Sequence, residues 1–145
     1  MTTLQKTDTL NEIADILHHG NYSCVLKTNS GDIKNFSQRG IRDLHDLLKN
    51  NPETLKNALI ADKIIGKAAA ALLIIGEIKG IYADVISVPA LYLFKKAFIH
   101  VEYIEKVNVI LNRDKTDLCP MEKRCLTENS IPELFTIIDS FISKK

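Results

Sequence analysis

With 145 residues, 46% hydrophobic and 26% charged, the chain is long enough for one domain with a sizeable core and has the composition of a soluble globular protein. Nineteen basic residues against eighteen acidic ones leave a net charge of +1, which excludes an overall field built to hold nucleic acid or anionic lipid. Tryptophan is absent and aromatic residues are few, so base-stacking platforms are not expected either.

The opening stretch MTTLQKTDTL has no apolar segment of the kind that signal peptides carry. The longest apolar run, AAAALLIIG from Ala68 to Gly76, falls far below the roughly eighteen residues a membrane span needs. A cytoplasmic protein without membrane contact is expected. Three cysteines without a secretion signal predict free thiols, not a disulfide framework.

The first element is a helix, with Leu10, Ile13, Ala14, Ile16 and Leu17 at helical spacing, Asp8 or Thr9 as its cap and Gly20 at its end. YSCVLKT and IKNFS read as strands joined by the tight turn NSGD, a hairpin. RGIRDLHDLLKN returns to helical period, and Pro52 suits a first helical turn. NALIA is a short strand; DKII bridges it to the alanine-rich helix GKAAAALLI, apolar on nearly all sides and so expected to be buried on more than one. IYADVIS is a strand, VPALYLFKKAF a helix and IHVEYIEKV a strand. A short helix begins at Cys119. In the closing helix, Ser130 as N-cap and Glu133 three residues on predict a capping box. The hairpin predicts antiparallel pairing in the first half, and strands joined by helices predict parallel pairing in the second. One domain of the α/β class follows: a mixed sheet in a three-layer α/β/α sandwich.

Four stretches carry a family likeness. RGIRDL, ADKIIGKAAAALL, YADVISVPALYLFKKAFIHVEY and NRDKTDLCPMEKRC together resemble the DUF1893 family, over roughly residues 23–125. The resemblance implies a cytidine-deaminase-like fold and no established function. Zinc deaminases place a His or Cys and a nearby Glu at the start of one helix, and two cysteines at the start of the next. Here the first helix, GKAAAALLI, has none of these residues, and the second has Val88-Pro89-Ala90 where a Pro-Cys pair would stand. Zinc-dependent deamination is therefore not expected, and no metal or cofactor is implied. One decoy is His100-Val101-Glu102, an H-x-E match followed by Cys119 and Cys125. It lies in a predicted strand, and its cysteines are not in helical alignment.

Four groups of residues could carry chemistry. In CPMEKRC, Pro120 at the first helical position puts Cys119 at the N-cap and Glu122 at the third position. A thiol at a helix N-terminus tends toward thiolate, and Lys123 and Arg124 add positive charge. Cys119 is thus a candidate nucleophile with Glu122 or Asp114 handling protons; the bland alternative is a small residue packed under a loop. In ADKIIGKAAA, Gly66 permits a tight turn and Lys67 opens a buried helix, where an anion docked on the N–H groups would make sense of the cation. Asp62 caps the turn or pairs with Lys63 or Lys67; a lysine stem covering apolar surface is the alternative. Arg42, with Arg39, stands at another helix start and suits phosphate or carboxylate, or else pairs with Asp43 or Asp46. The polar loop Asn112, Arg113, Asp114 and Asp117 can hold a ligand or merely turn the chain.

Ligands of α/β sheets sit beyond the carboxyl ends of parallel strands. Lys67, Ser87 and the Asn112–Cys119 loop are all expected there, lining one crevice. The function expected is binding of a nucleotide or other phosphate-bearing small molecule without deamination. The alternatives are a zinc-independent enzyme using Cys119 and an oligomeric scaffold, the apolar residues around VPALYLF permitting a homodimer.

Overall fold

The computed structural model describes residues 2–37, 41–111, 117 and 119–143, with backbone alone for 2–9. Helix α1 (Thr2–His19) begins well before Asp8 and Thr9, so neither is its cap. The apolar spacing marked only the half of the helix that the sheet buries: Leu10, Ile13 and Leu17 are fully buried. The Gly20 N–H donates to the Ile16 carbonyl at 2.9 Å as the helix ends.

Strands β1 (Cys24–Lys27) and β2 (Ile33–Phe36) form the expected antiparallel hairpin. Gly31 takes a φ of 101° in its turn, the left-handed region that a residue without Cβ enters freely. Helices α2 (Arg42–Asn50) and α3 (Pro52–Leu55) follow, with Pro52 in the first turn of α3. Strand β3 (Leu59–Ile65) is longer than NALIA alone. The residues expected to bridge belong to the strand because β3 pairs with β1 over its first half and with the next strand as far as Ile65. Helix α4 (Lys67–Ile75), strand β4 (Gly80–Ser87), helix α5 (Val88–Lys96) and strand β5 (His100–Val107) complete two parallel crossovers. Short helix α6 (Pro120–Cys125) and closing helix α7 (Ile131–Ser143) end the chain. The expected capping box at α7 is altered, since the Ser130 N–H goes to Glu128 Oε2 at 2.9 Å and not to Glu133.

The sheet order is β2-β1-β3-β4-β5, antiparallel on both sides of β1 and parallel from β3 to β5. One face packs Val25, Leu59, Ala61 and Tyr82 against α1. The other packs Leu26, Ile60, Ile81 and Ala83 under α2, α4, α5, α6 and α7. The layers are those expected: among the described residues six helices, α3 included through the buried Leu55, lie on one side and α1 on the other. Helix α4 lies at the centre of the thick side. All its residues from Lys67 to Leu73 are buried, and its four alanines let α5, α7 and α2 approach closely. Each fully buried Leu or Ile in this layer contributes about 1.5–3 kcal/mol.

Candidate functional site

A cavity of about 770 Å3 opens at the carboxyl end of β3. Arg42, Asp62, Lys63, Gly66, Cys119 and Glu122 all line it. They come from the first turn of α2, the end of β3, the β3–α4 junction and the start of α6. Ile41, Met121 and Phe141 supply apolar wall. Tyr22 and Ser23 also border it; they carried no sequence signal because they reach the site only through the β1–β3 pairing. Asn112, Arg113 and Asp114 lie outside the described residues, as do Arg39 and Gly40.

The junction between β3 and α4 differs from expectation. The first N–H groups of α4 do hold an anion, and it is the chain's own Glu122. The Lys67 N–H donates to Glu122 Oε1 at 2.7 Å and the Ala68 N–H to Oε2 at 3.0 Å. The carboxylate thus satisfies two otherwise orphaned donors and sets negative charge at the positive end of the helix. Gly66 makes room for it. A Cβ there would stand 2.6 Å from the carboxylate carbon.

The side chain of Lys67 runs away from the cavity. It is 4% exposed, and its Nζ donates to the Leu126 carbonyl at 3.2 Å, where α6 ends. A cation is well placed at that helix terminus. Lys67 therefore does not line the cavity, and an incoming anion cannot reach its ammonium. The two oxygens of Glu122 each accept one N–H of α4, so the carboxylate expected to handle protons is also what closes that helix.

Cys119 is the residue preceding α6, without a side-chain capping bond, and is half-buried in the cavity wall. Its N–H donates to the Ile110 carbonyl at 2.9 Å, tying the start of α6 to the segment that leaves β5. Cys125 is buried, which pushes its thiol up to about 11, with Glu122 acting in the same direction and Lys67 against it. Burial likewise holds the Cys24 thiol well above its usual range, helped by Asp62.

Asp62 sits at the floor, paired across the sheet with Cys24. Its carboxylate is only partly accessible to water, and that desolvation pushes it up to about 7. The Ile64 N–H, donating to Oδ1 at 3.2 Å, and the Cys24 thiol pull the other way without offsetting it. Arg42 is exposed at the rim and Lys63 half-buried. Among the described residues neither makes an ion pair, so the alternative for Arg42, pairing with Asp43 or Asp46, is not seen. Ser87 does not reach the cavity; it is 1% exposed, and its Oγ accepts the Ala90 N–H at 3.2 Å to cap α5.

His100 opens β5, at the far end of that strand from Cys119, and its Nε2 pairs with Glu102 Oε2 at 2.8 Å. The two cysteines cannot join it. Among the described residues no three His, Cys, Asp or Glu side chains are grouped to hold a metal. No helix among them is long and apolar enough to cross a membrane.

A family profile described as "Domain of unknown function (DUF1893)" matches residues 12–142. The chain is similar to the crystal structure of a DUF1893 family protein (TM1506) from Thermotoga maritima. The two share 29% sequence identity with a TM-score of 0.82, over 90% of this chain and 88% of that one. The comparison with curated proteins gave no match.

Proposed function

The chain belongs to the DUF1893 family, and from that premise we propose that its cavity binds a nucleotide-like or other phosphate-bearing small molecule without deaminating it. The observation that carries this reading is the cavity itself. At about 770 Å3 it falls within the roughly 300–1,000 Å3 of small-molecule sites, with apolar walls and a few convergent polar groups. The cations at its rim, Arg42 and Lys63, are without ion-pair partners among the described residues and suit an anionic group. Asp62 at the floor suits a donor edge on the remainder of the ligand. The mixed sheet is compatible with the deaminase-like fold that the family resemblance implies. The first turns of α4 and α5 supply Lys67-Ala68 and Val88-Pro89-Ala90, not ligands of zinc.

The test is native mass spectrometry of the purified protein, followed by a thermal-shift screen with nucleoside mono-, di- and triphosphates. A non-covalent mass lost on denaturation, or a Tm rise with one nucleotide class, is the expected result. No bound mass and no shift at millimolar concentration would sink the reading.

A second reading has one observation in its favour. Cys119 and Asp62 line the same cavity, and a carboxyl near 7 is suited to proton transfer at neutral pH. The proposed zinc-independent enzyme would use Cys119 as nucleophile with Asp62, not Glu122, as its proton partner. If iodoacetamide alkylates Cys119 at pH 7 no faster than a simple thiol, that reading loses its mechanism.

A further inference from the structure

Among the described residues, no cation is paired with Asp62. It stands opposite Cys24 in the β1–β3 pairing, so its side chain lies on the helix-covered face of the sheet, where it lines the cavity. Its hydrogen-bond partners are neutral donors: the Ile64 and Lys63 N–H groups and the Cys24 thiol. A carboxylate offers about four lone-pair sites, so roughly one is left for the cavity. The charged and titratable groups around it do not compensate its charge. Asp84 on β4 opposes it, Glu122 reaches the cavity from α6 beside Cys119, and Arg42 of α2 and Lys63 stand at the rim. Helices α4 and α7 present only Gly66, alanines, Phe141 and Ile142. A carboxylate drawn out of water without a counterion is costly. Near pH 7 the group is therefore shared between acid and carboxylate, and a ligand donor can take the place of its proton.

We propose that Asp62 selects the base of a bound nucleotide by accepting an N–H from its exocyclic amino group, so that the cavity prefers adenine or cytosine to the keto counterparts hypoxanthine and uracil. The inference rests on the nucleotide-like ligand proposed for the same cavity. Arg42 and Lys63 at the rim suit the phosphate, and Ile41, Met121 and Phe141 suit the flat apolar middle of such a molecule. At the floor an ionised carboxylate can only accept, so it meets an amino group favourably and a keto oxygen unfavourably. A buried acceptor left unpaired by the wrong ligand is what turns one hydrogen bond into discrimination. The protonated acid reads the opposite way, donating to a keto oxygen. The preference for the amino base should therefore grow as pH rises through about 7.

Calorimetric titration of adenosine, inosine, cytidine and uridine monophosphates into the full chain tests this. Adenosine and inosine monophosphates share phosphate and sugar and differ at the amino or keto position, as do the cytidine and uridine pair. At pH 8 the amino member of the pair that fits should bind the wild type at least about tenfold tighter than its keto counterpart. The margin should shrink at pH 6. In Asp62→Asn the amide oxygen keeps the Ile64 N–H and the amide NH2 faces the cavity, so the keto member should now bind tighter, at either pH. A carboxyl with a purely structural role would produce no such reversal. Equal affinity within both pairs would overturn the proposal while leaving nucleotide binding in place, and so would a wild-type preference that persists in Asp62→Asn. Binding of none of these ligands would overturn it as well, and silence across the wider nucleotide screen would remove the underlying reading with it.

Discussion

Helices α4 and α5 occupy equivalent places, each starting where a parallel strand ends, and their N-termini are closed in opposite ways. At α5 the acceptor is local: Ser87 immediately precedes the helix and takes the Ala90 N–H. At α4 no neighbour supplies an acceptor. Gly66 stands at the cap position, and the carboxylate of Glu122 arrives from 55 residues away in sequence. The local cap closes the start of α5 without a side chain from a distant segment. The distant one makes α4 and α6 a single unit. It also fills with an internal anion the position where an external phosphate would dock most readily. On the proposed reading a ligand anion would turn to Arg42 and Lys63 at the rim, while the Lys67 ammonium is held at the Leu126 carbonyl.

Removing the distant cap should have the largest effect. Glu122→Ala leaves the Lys67 and Ala68 N–H groups without their acceptors in a part-buried junction, and a loss of about 2–4 kcal/mol is expected in urea unfolding. Glu122→Gln, which keeps one carbonyl acceptor, should lose about half as much. Gly66→Ala comes next. Its new methyl group meets the Glu122 carboxylate and forces it off the helix, so a loss of about 1–3 kcal/mol is expected. The double variant Gly66→Ala/Glu122→Ala should be clearly less destabilised than the sum of the two, because both act through one carboxylate. Strict additivity would contradict this link.

Asp62 gives a smaller effect with a defined pH signature. Its folded-state value, pushed up to about 7, lies above the ordinary value of 3.8 that the unfolded chain retains. Between those values the folded state holds the extra proton, so stability falls as pH rises through this window. Asp62→Asn keeps an acceptor for the Ile64 N–H but carries no charge. It should exceed the wild type by about 1–2 kcal/mol at pH 8, with the gap closing below pH 4. A gap that does not change with pH would show that Asp62 ionises as an ordinary carboxylate. Ser87→Ala, the local counterpart of the Glu122 variant, should cost about 1 kcal/mol and leave α4 and α6 undisturbed.

The same contrast explains what could be read in the sequence. Signals confined to a few neighbouring residues were legible: the hairpin around Gly31, the proline in the first turn of α3 and the all-round apolar face of α4. So was the change from antiparallel to parallel pairing, since it follows from connection lengths. The start of α1 was not, because an amphipathic stripe reports the buried part of a helix and not its full length. The end of β3 was missed for a related reason. DKII alternates poorly, and it is held as strand by partners on β4 rather than by its own pattern. At the site, the residue types were identified more fully than their tasks. Glu122 was read as part of the Cys119 turn, yet its partners lie on another helix. One local signal did point there. Gly66 begins a buried helix without a Ser, Thr, Asp or Asn at its cap, so the acceptor had to come from elsewhere in the chain.

The most direct measurement is calorimetric titration of one nucleoside monophosphate, or whichever nucleotide the thermal screen selects, into the wild type, Lys63→Ala and Lys67→Met. The account predicts that Lys63→Ala weakens binding about tenfold, equivalent to about 1.4 kcal/mol, while folded Lys67→Met binds as the wild type does. Loss of binding in Lys67→Met with Lys63→Ala unaffected would contradict it, returning the anion to the N-terminus of α4 and displacing Glu122 from the role described for it.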